Sequence, residues 1–378
     1  MATLAPKTFR RWVYAKPMTD GSLTLDQFAL EEAPTPEPAE GQALVKVKLL
    51  NIHSATRSRL ASGAIALGGT DPFSYACAEV VRSRDPAFRE GDVIACQAGW
   101  QEYQLISSQD ASIGYGRATE LTAALNRTNS QWCYVFRPEM TRMWPPEVLM
   151  DVFGTSGMTA YFGLRECGPI MPRDAVLAAG ASGSVGSMAA QLAKKAGARV
   201  VGLAGGAERC RWVVETLRID ACLDYRADDF LAQLQAAFPN GVDVFSDGVG
   251  GDLTTRVVQT LMNPNSRLFA YGTSAAYYAE ETPAPPSAPG GQRKTTRQQF
   301  VPAEAEPAIA AKNIKVEAWI VHDFYHERIT AENDLSRLLL SGALKPVHAI
   351  VEGFEKLPEA VVSLYRQPHA GKLQVRFG

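Results

Sequence analysis

The run Ala181-Ser182-Gly183-Ser184-Val185-Gly186 places small residues at its first, third and sixth positions. That spacing suits a turn that holds a diphosphate. Gly183 lets the anion approach the backbone, and Gly186 lets a following helix pack closely on a strand. The helix N-terminus would offer free N–H groups and a positive dipole end to the same anion. Downstream, the apolar run 199–204 ends in Gly205-Gly206, with no Asp or Glu at its tip to bond a ribose 2′-hydroxyl. Arg209 follows, and a guanidinium pairs well with a 2′-phosphate. These residues therefore select NADP(H) over NAD(H), with Lys194 and Lys195 as further cations nearby.

The elements around the turn must hold it in place. Residues 175–180 are short, apolar and end at a glycine, as a buried parallel strand does. Met188, Leu192 and Ala196 then recur at helical spacing, and 199–204 reads as a second strand. Strand, helix and strand make a βαβ unit with a right-handed crossover. Further strands are expected at 221–226, 242–250, 266–272 and 316–321, with helices at 229–238 and 252–262. The result is a doubly wound α/β sheet that binds its ligand at the C-terminal ends of its strands. Those ends bring Tyr225, Asp247, Gly248, Tyr271, Gly272 and Asp323 toward the cleft.

Residues 1–140 differ. Apolar and polar positions alternate there between Gly and Pro breaks, the pattern of an antiparallel, barrel-like sheet, and 371–378 reads as a final strand returning to it. The expected division is 1–145, completed by 343–378, and 146–342. The Pro-, Gly- and Gln-rich stretch 280–308 reads as an exposed insertion bordering the cleft.

Of the 378 residues, 46% are hydrophobic and 21% charged, with a formal charge of −2. That balance suits a globular protein and gives no electrostatic reason to expect nucleic acid or a membrane as partner. The six cysteines form no CxxC pair, which fits free thiols in a reducing cytoplasm. No run approaches the ~20 apolar residues of a membrane span, and the first residues lack a signal-peptide core.

The ordered segments RRWVYAKP, GTSGMTAYFGL, AAGASGSVGS, VVGLAGGAERC, DVFSDGVGG, VEAWIVHDF and GKLQV resemble the medium-chain dehydrogenases/reductases. The resemblance is closest to the zinc-independent alkenal and prostaglandin/leukotriene reductase group, which includes curcumin reductase-like enzymes, and it spans nearly the whole chain. It implies a GroES-like β-rich catalytic domain joined to a Rossmann domain, and often a homodimer formed along the sixth strand. The implied reaction is NADPH-dependent reduction of a C=C bond conjugated to a carbonyl. It also implies that Met158 and Thr159 lie near the nicotinamide and its ribose, and that Ser182, Gly183 and Val185 line the diphosphate turn. Arg209 and Tyr225 would flank the 2′-phosphate, and Tyr277 would stand beside cofactor and substrate.

The chain departs from the group's pattern in four places. His53-Ser54-Ala55 replaces an Asp-Pro-Tyr run, so the usual substrate-holding tyrosine is missing. Gly248 replaces an Asn, His369 stands near a cofactor-touching Asn, and 280–308 is longer than usual. The zinc-using relatives' ligand set cannot be assembled here: Tyr75 stands near their catalytic His and His53 near their first Cys, so no metal is expected. Reduction needs a donor to the developing enolate oxygen and a proton at the α-carbon. Tyr277 is the first candidate for that work. His53 is the second, because imidazole donates near neutral pH. Tyr75 and Tyr271 read as structural, as do Trp100 and Tyr103. Two other activities share this fold: quinone reduction, and NADPH binding without turnover, as in a sensor or partner subunit.

Overall fold

The computed structural model describes residues 5–18, 21–108, 133–275, 295–366 and 369–378. Its strands are β1 Thr8–Tyr14, β2 Phe28–Pro34, β3 Ala43–Asn51, β4 Tyr75–Ser83, β5 Val93–Gln97, β6 Tyr103–Ile106 and β7 Tyr134–Val135. They continue with β8 Ala175–Ala178, β9 Arg199–Ala204, β10 Ala221–Asp224, β11 Val242–Asp247, β12 Met262–Ala270, β13 Lys315–Glu317, β14 His348–Glu352 and β15 Lys372–Arg376.

Two larger sheets organise the molecule. One runs β14-β15-β3-β4-β5-β7, with β6 also on β3. It is antiparallel except where β14 and β15 run side by side. The alternating residues of the N-terminal region build it, and β15 joins it as expected, with Gln374 opposite Asn51. Trp100 lies at its core against Phe28, ring centroids 5.3 Å apart, and Tyr103 packs on Phe9.

The other sheet is wholly parallel, in the order β10-β9-β8-β11-β12-β13. That order reverses between β8 and β11, where doubly wound sheets open a ligand crevice. β8 and β9 are buried on both faces, which is why they read as unbroken apolar runs. Helix Thr155–Cys167 packs on β12 so tightly that a Cβ on Gly163 would lie 2.0 Å from the Phe269 ring.

Two expectations need correction. The sixth strand stops at Glu317, and Val321–Glu327 is a 3-10 helix. Trp319 turns inward onto Phe324, centroids 4.3 Å apart, and Phe269, which ends the extended run. The stretch 280–308 is not irregular throughout. Thr296–Phe300 is helical, closed by a capping box between Thr295 and Gln298, and a second helix begins at Glu306. Residues 276–294 lie outside the described residues.

Candidate active site

The diphosphate-type turn links β8 to helix Ser184–Lys195, with Gly183 as the N-cap. Gly180 takes φ +65°, a conformation that favours glycine. A Cβ on Gly186 would lie 2.2 Å from the Gly180 carbonyl oxygen, so only glycine lets the helix start this close to the strand. Ser182 is buried. Its carbonyl accepts a 2.7 Å hydrogen bond from the Gly371 N–H, which brings the start of β15 against the turn.

Just past the tip of β9, Gly205 makes room for side chains from beyond β10. A Cβ there would meet Tyr225 Oη at 2.7 Å and Arg226 Nε at 2.9 Å. A phenol and a guanidinium therefore lean over the bare strand end. Asp224, the last residue of β10, bonds to the backbone at this tip. Its Oδ1 accepts from Gly206 N at 2.8 Å and Arg226 N at 3.0 Å, and these bonds hold its carboxyl below the usual range. Arg209 lies in helix Ala207–Leu217, close enough to His369 to help lower that imidazole, whose main cause of lowering is burial. His369 Nε2 is hydrogen-bonded to Ser363 Oγ at 2.9 Å. Lys194 and Lys195 are at the far end of their helix, and Lys194 pairs with Asp220 at 2.6 Å. They stand away from the strand tips, because a helix of this length carries its last turn about 15 Å from its first. Arg226 is a cation at this strand end that the sequence reading did not name. Its position one residue beyond Tyr225 was the available signal.

The crevice floor is formed by β11 and β12. Asp247 is buried and raised by that burial. It accepts from Thr254 Oγ1, from Val249 N at 2.8 Å and from Gly250 N at 3.2 Å. Gly248 leaves room for the Tyr271 ring, whose Oη donates to the Ala179 carbonyl at 3.4 Å. Met158 is fully buried, and the neighbouring Thr159 hydroxyl donates to Thr155 O at 2.6 Å. Val185 packs against the same apolar cluster as Met158. Tyr277 lies outside the described residues.

His53 follows β3. The residue as a whole is half-buried, and its Nε2 is covered by protein with no hydrogen-bond partner among the described residues. Burial first, then Lys372 and Arg59, hold the imidazole well below its ordinary value, so it is neutral at physiological pH. Its ring lies 6.1 Å from that of Tyr75, the first residue of β4. Tyr75 Oη is hydrogen-bonded to His322 Nε2, across 247 positions of sequence and between the two sheet systems. Burial brings His322 down to about 4. Lys372, opposite His348 in the β14–β15 ladder, is likewise brought down to about 8 by burial.

No three His, Cys, Asp or Glu side chains among the described residues form a metal-holding group. The turn and the strand tip fit a dinucleotide with a 2′-phosphate: Gly186 lets the helix N-terminus start hard against β8, and the Tyr225–Arg226 pair lies over Gly205.

Comparison with known proteins matches this geometry. Residues 10–113 fit the family model of the N-terminal domain of oxidoreductase, and 184–312 fit the zinc-binding dehydrogenase model. The chain is 30% identical to NADPH-dependent curcumin reductase of Escherichia coli over 97% of its length and 96% of that protein's. It is 25% identical to bovine (Bos taurus) prostaglandin reductase 1, covering 94% and 95%. The crystal structure of CurA from Vibrio vulnificus in complex with NADPH superposes with a TM-score of 0.75, at 27% identity, over 98% of this chain and 99% of that one. With a cofactor-type crevice, a β-rich partner sheet and relatives matched end to end, the chain belongs to the zinc-independent, curcumin reductase-like group of the medium-chain dehydrogenases/reductases.

Proposed function

We propose that the protein is an NADPH-dependent reductase of the C=C bond of α,β-unsaturated carbonyl compounds. The tip of β9 supports the cofactor part of this reading: Tyr225 and Arg226 lie over Gly205, a phenol and a guanidinium suited to a 2′-phosphate. The names of the relatives agree, since curcumin and prostaglandin reductases are among those matched.

Ser182, Gly183, Val185 and Gly186 would hold the diphosphate. Gly205, Arg209, Tyr225 and Arg226 would hold the 2′-phosphate, and Met158, Thr159, Gly248, Tyr271 and His369 would frame the rest. NADPH supplies a hydride to the substrate β-carbon when bound. The chain itself orients the enone, covers the site from water and donates to the developing oxyanion. Tyr277 and His53 are candidates for that donation. In its neutral state His53 can act as a hydrogen-bond donor but not as an imidazolium acid. Residues 1–145 with 343–378 would form the catalytic domain and 146–342 the cofactor domain. The short edge strand β13 suits pairing with a second copy as a homodimer. A cytoplasmic setting accords with the buried and part-buried free thiols.

The test follows NADPH absorbance against an enal, an aryl enone, an enoyl thioester and a quinone, with NADH in parallel. Consumption with an enone and NADPH supports the reading. Consumption with the quinone alone, or with nothing despite tight NADPH binding, overturns it.

A further inference from the structure

We propose that Cys210 and Cys222 form an oxidisable thiol pair, and that their disulfide weakens the hold of this chain on the 2′-phosphate of NADPH. The proposal rests on the placement of that phosphate beside Arg209, Tyr225 and Arg226.

Three observations carry it. First, the two sulfurs meet. Cys222, on β10, stands opposite Gly202 of β9, and its Sγ lies 3.5 Å from where a Cβ on that glycine would be. Cys210, near the start of helix Ala207–Leu217, donates its S–H to the Ala204 carbonyl at 3.8 Å, two residues along the same strand. Both side chains pack into one apolar cluster, and the Cys222 thiol donates a hydrogen bond to Cys210. Second, the pair differs from the other four cysteines. Cys77, Cys96, Cys133 and Cys167 are buried, whereas Cys222 is part-exposed, so a small oxidant can reach it. Third, the pair brackets the strand tip that faces the cofactor. Arg209 directly precedes Cys210, and Tyr225 and Arg226 follow Cys222 by three and four positions. Asp224, at the end of β10, accepts from Gly206 N at 2.8 Å, which already ties that strand to the helix start.

The oxidant is a peroxide. The Cys222 sulfur attacks one oxygen of hydrogen peroxide, the O–O bond breaks, and a sulfenic acid forms as the first water leaves. The Cys210 sulfur then displaces the sulfenic hydroxyl, which leaves as a second water. Two thiols and one hydrogen peroxide give one disulfide and two waters, with sulfur oxidised and peroxide oxygen reduced. Burial holds both thiols above their ordinary pKa, so thiolate is scarce at neutral pH and closure should quicken as pH rises. Bonded sulfurs lie closer than touching ones, so closure draws the helix start toward β10 and displaces Arg209 relative to Tyr225. A thiol reductant reopens the pair. Such a bond in a reducing compartment is transient and reports an oxidant.

The experiment treats the full chain with hydrogen peroxide at neutral and at mildly alkaline pH, then desalts it. Thiols are titrated in denaturant, and NADPH and NADH binding are followed by fluorescence before and after dithiothreitol. Two of the six thiols should be lost together, faster at the higher pH, and dithiothreitol should restore both. The oxidised chain should bind NADPH about tenfold more weakly, the effect of losing one charge-assisted hydrogen bond, with NADH affinity unchanged. Cys222→Ser and Cys210→Ser should each keep their NADPH affinity through the same treatment. A thiol count that stays at six, or a reversible loss of two that persists in Cys222→Ser, would overturn the proposal. So would unaltered NADPH affinity in the disulfide form of a protein whose Arg209→Ala variant binds NADPH weakly. If neither oxidation nor Arg209→Ala alters NADPH binding, the placement of the phosphate falls and the proposal with it.

Discussion

Gly248 and Tyr271 occupy one another's space: a Cβ on Gly248 would come within 2.4 Å of the Tyr271 ring. The absence of a side chain just after β11 is what allows the aromatic just after β12 to lie across the crevice floor. Gly248→Asn should therefore destabilise the protein by about 1–3 kcal/mol through overpacking. Adding Tyr271→Ala should recover much of that loss, giving a coupling energy in a double-mutant cycle of denaturant melts. Additive losses would show that the two positions do not compete for space.

Arg209→Ala should weaken NADPH binding by about 1–3 kcal/mol, as expected when a charge-assisted hydrogen bond to a phosphate is lost. NADH affinity, which has no 2′-phosphate to lose, should stay level. Arg226→Ala should shift the NADPH/NADH ratio in the same direction. Fluorescence titration with both cofactors checks this, and an unchanged ratio would remove the residue from the phosphate site.

Lys372 predicts a pH effect of defined sign. Burial lowers its folded-state pKa to about 8, with Asp151 opposing the fall and Arg59 adding to it, whereas the ordinary value is 10.5. Between those values the unfolded chain binds the extra proton, so stability rises with pH across that window. Below about 8 both states are protonated and the cost of burying the charge is present in full. Lys372→Met should raise stability at pH 7 and abolish the rise between pH 8 and 10.5. Urea melts across that range test it, and an unaltered slope in the variant would contradict it.

Glu332 anchors a buried ion pair that ties the cofactor half to the β-rich half. It is fully buried, lies 3.2 Å from Arg328 Nη1 and 3.1 Å from Arg137 Nε, and Arg328 sits 3.8 Å over the Tyr134 ring. Glu332→Ala leaves a buried guanidinium without its carboxylate and should cost about 3–5 kcal/mol. Thermal melts of Glu332→Ala and Glu332→Gln should show the larger loss in the alanine variant.

The parallel half was legible where local chemistry and tertiary demand agree. The turn at 181–186 needs its glycines whatever packs around it, and strands buried on both faces show as apolar runs. The helix at Thr296–Phe300 was not read, although Thr295-x-x-Gln298 has the spacing of a capping box, because its Pro- and Gly-rich neighbours dominate the stretch. Nor was the end of β13, because alternation continues through Trp319 and only the tertiary contacts with Phe269 and Phe324 turn the chain inward. Least legible was the Tyr75–His322 bond. Each residue alone looks like a packing aromatic, and nothing local announces a partner in the other half of the fold.

The docking of Gly371 on Ser182 bears on the order in which the molecule is made. β15 enters between β14 and β3, so residues 372–376 complete a sheet begun more than 300 residues earlier at 43–51. The same segment closes one side of the diphosphate turn. During translation the parallel sheet can assemble its strands while that turn still lacks a wall and β3 still has an open edge. Competence to hold a dinucleotide would then arrive late and in a single step, coupled to closure of the β-rich half, and a nascent chain stalled before residue 371 would carry the turn without its final wall.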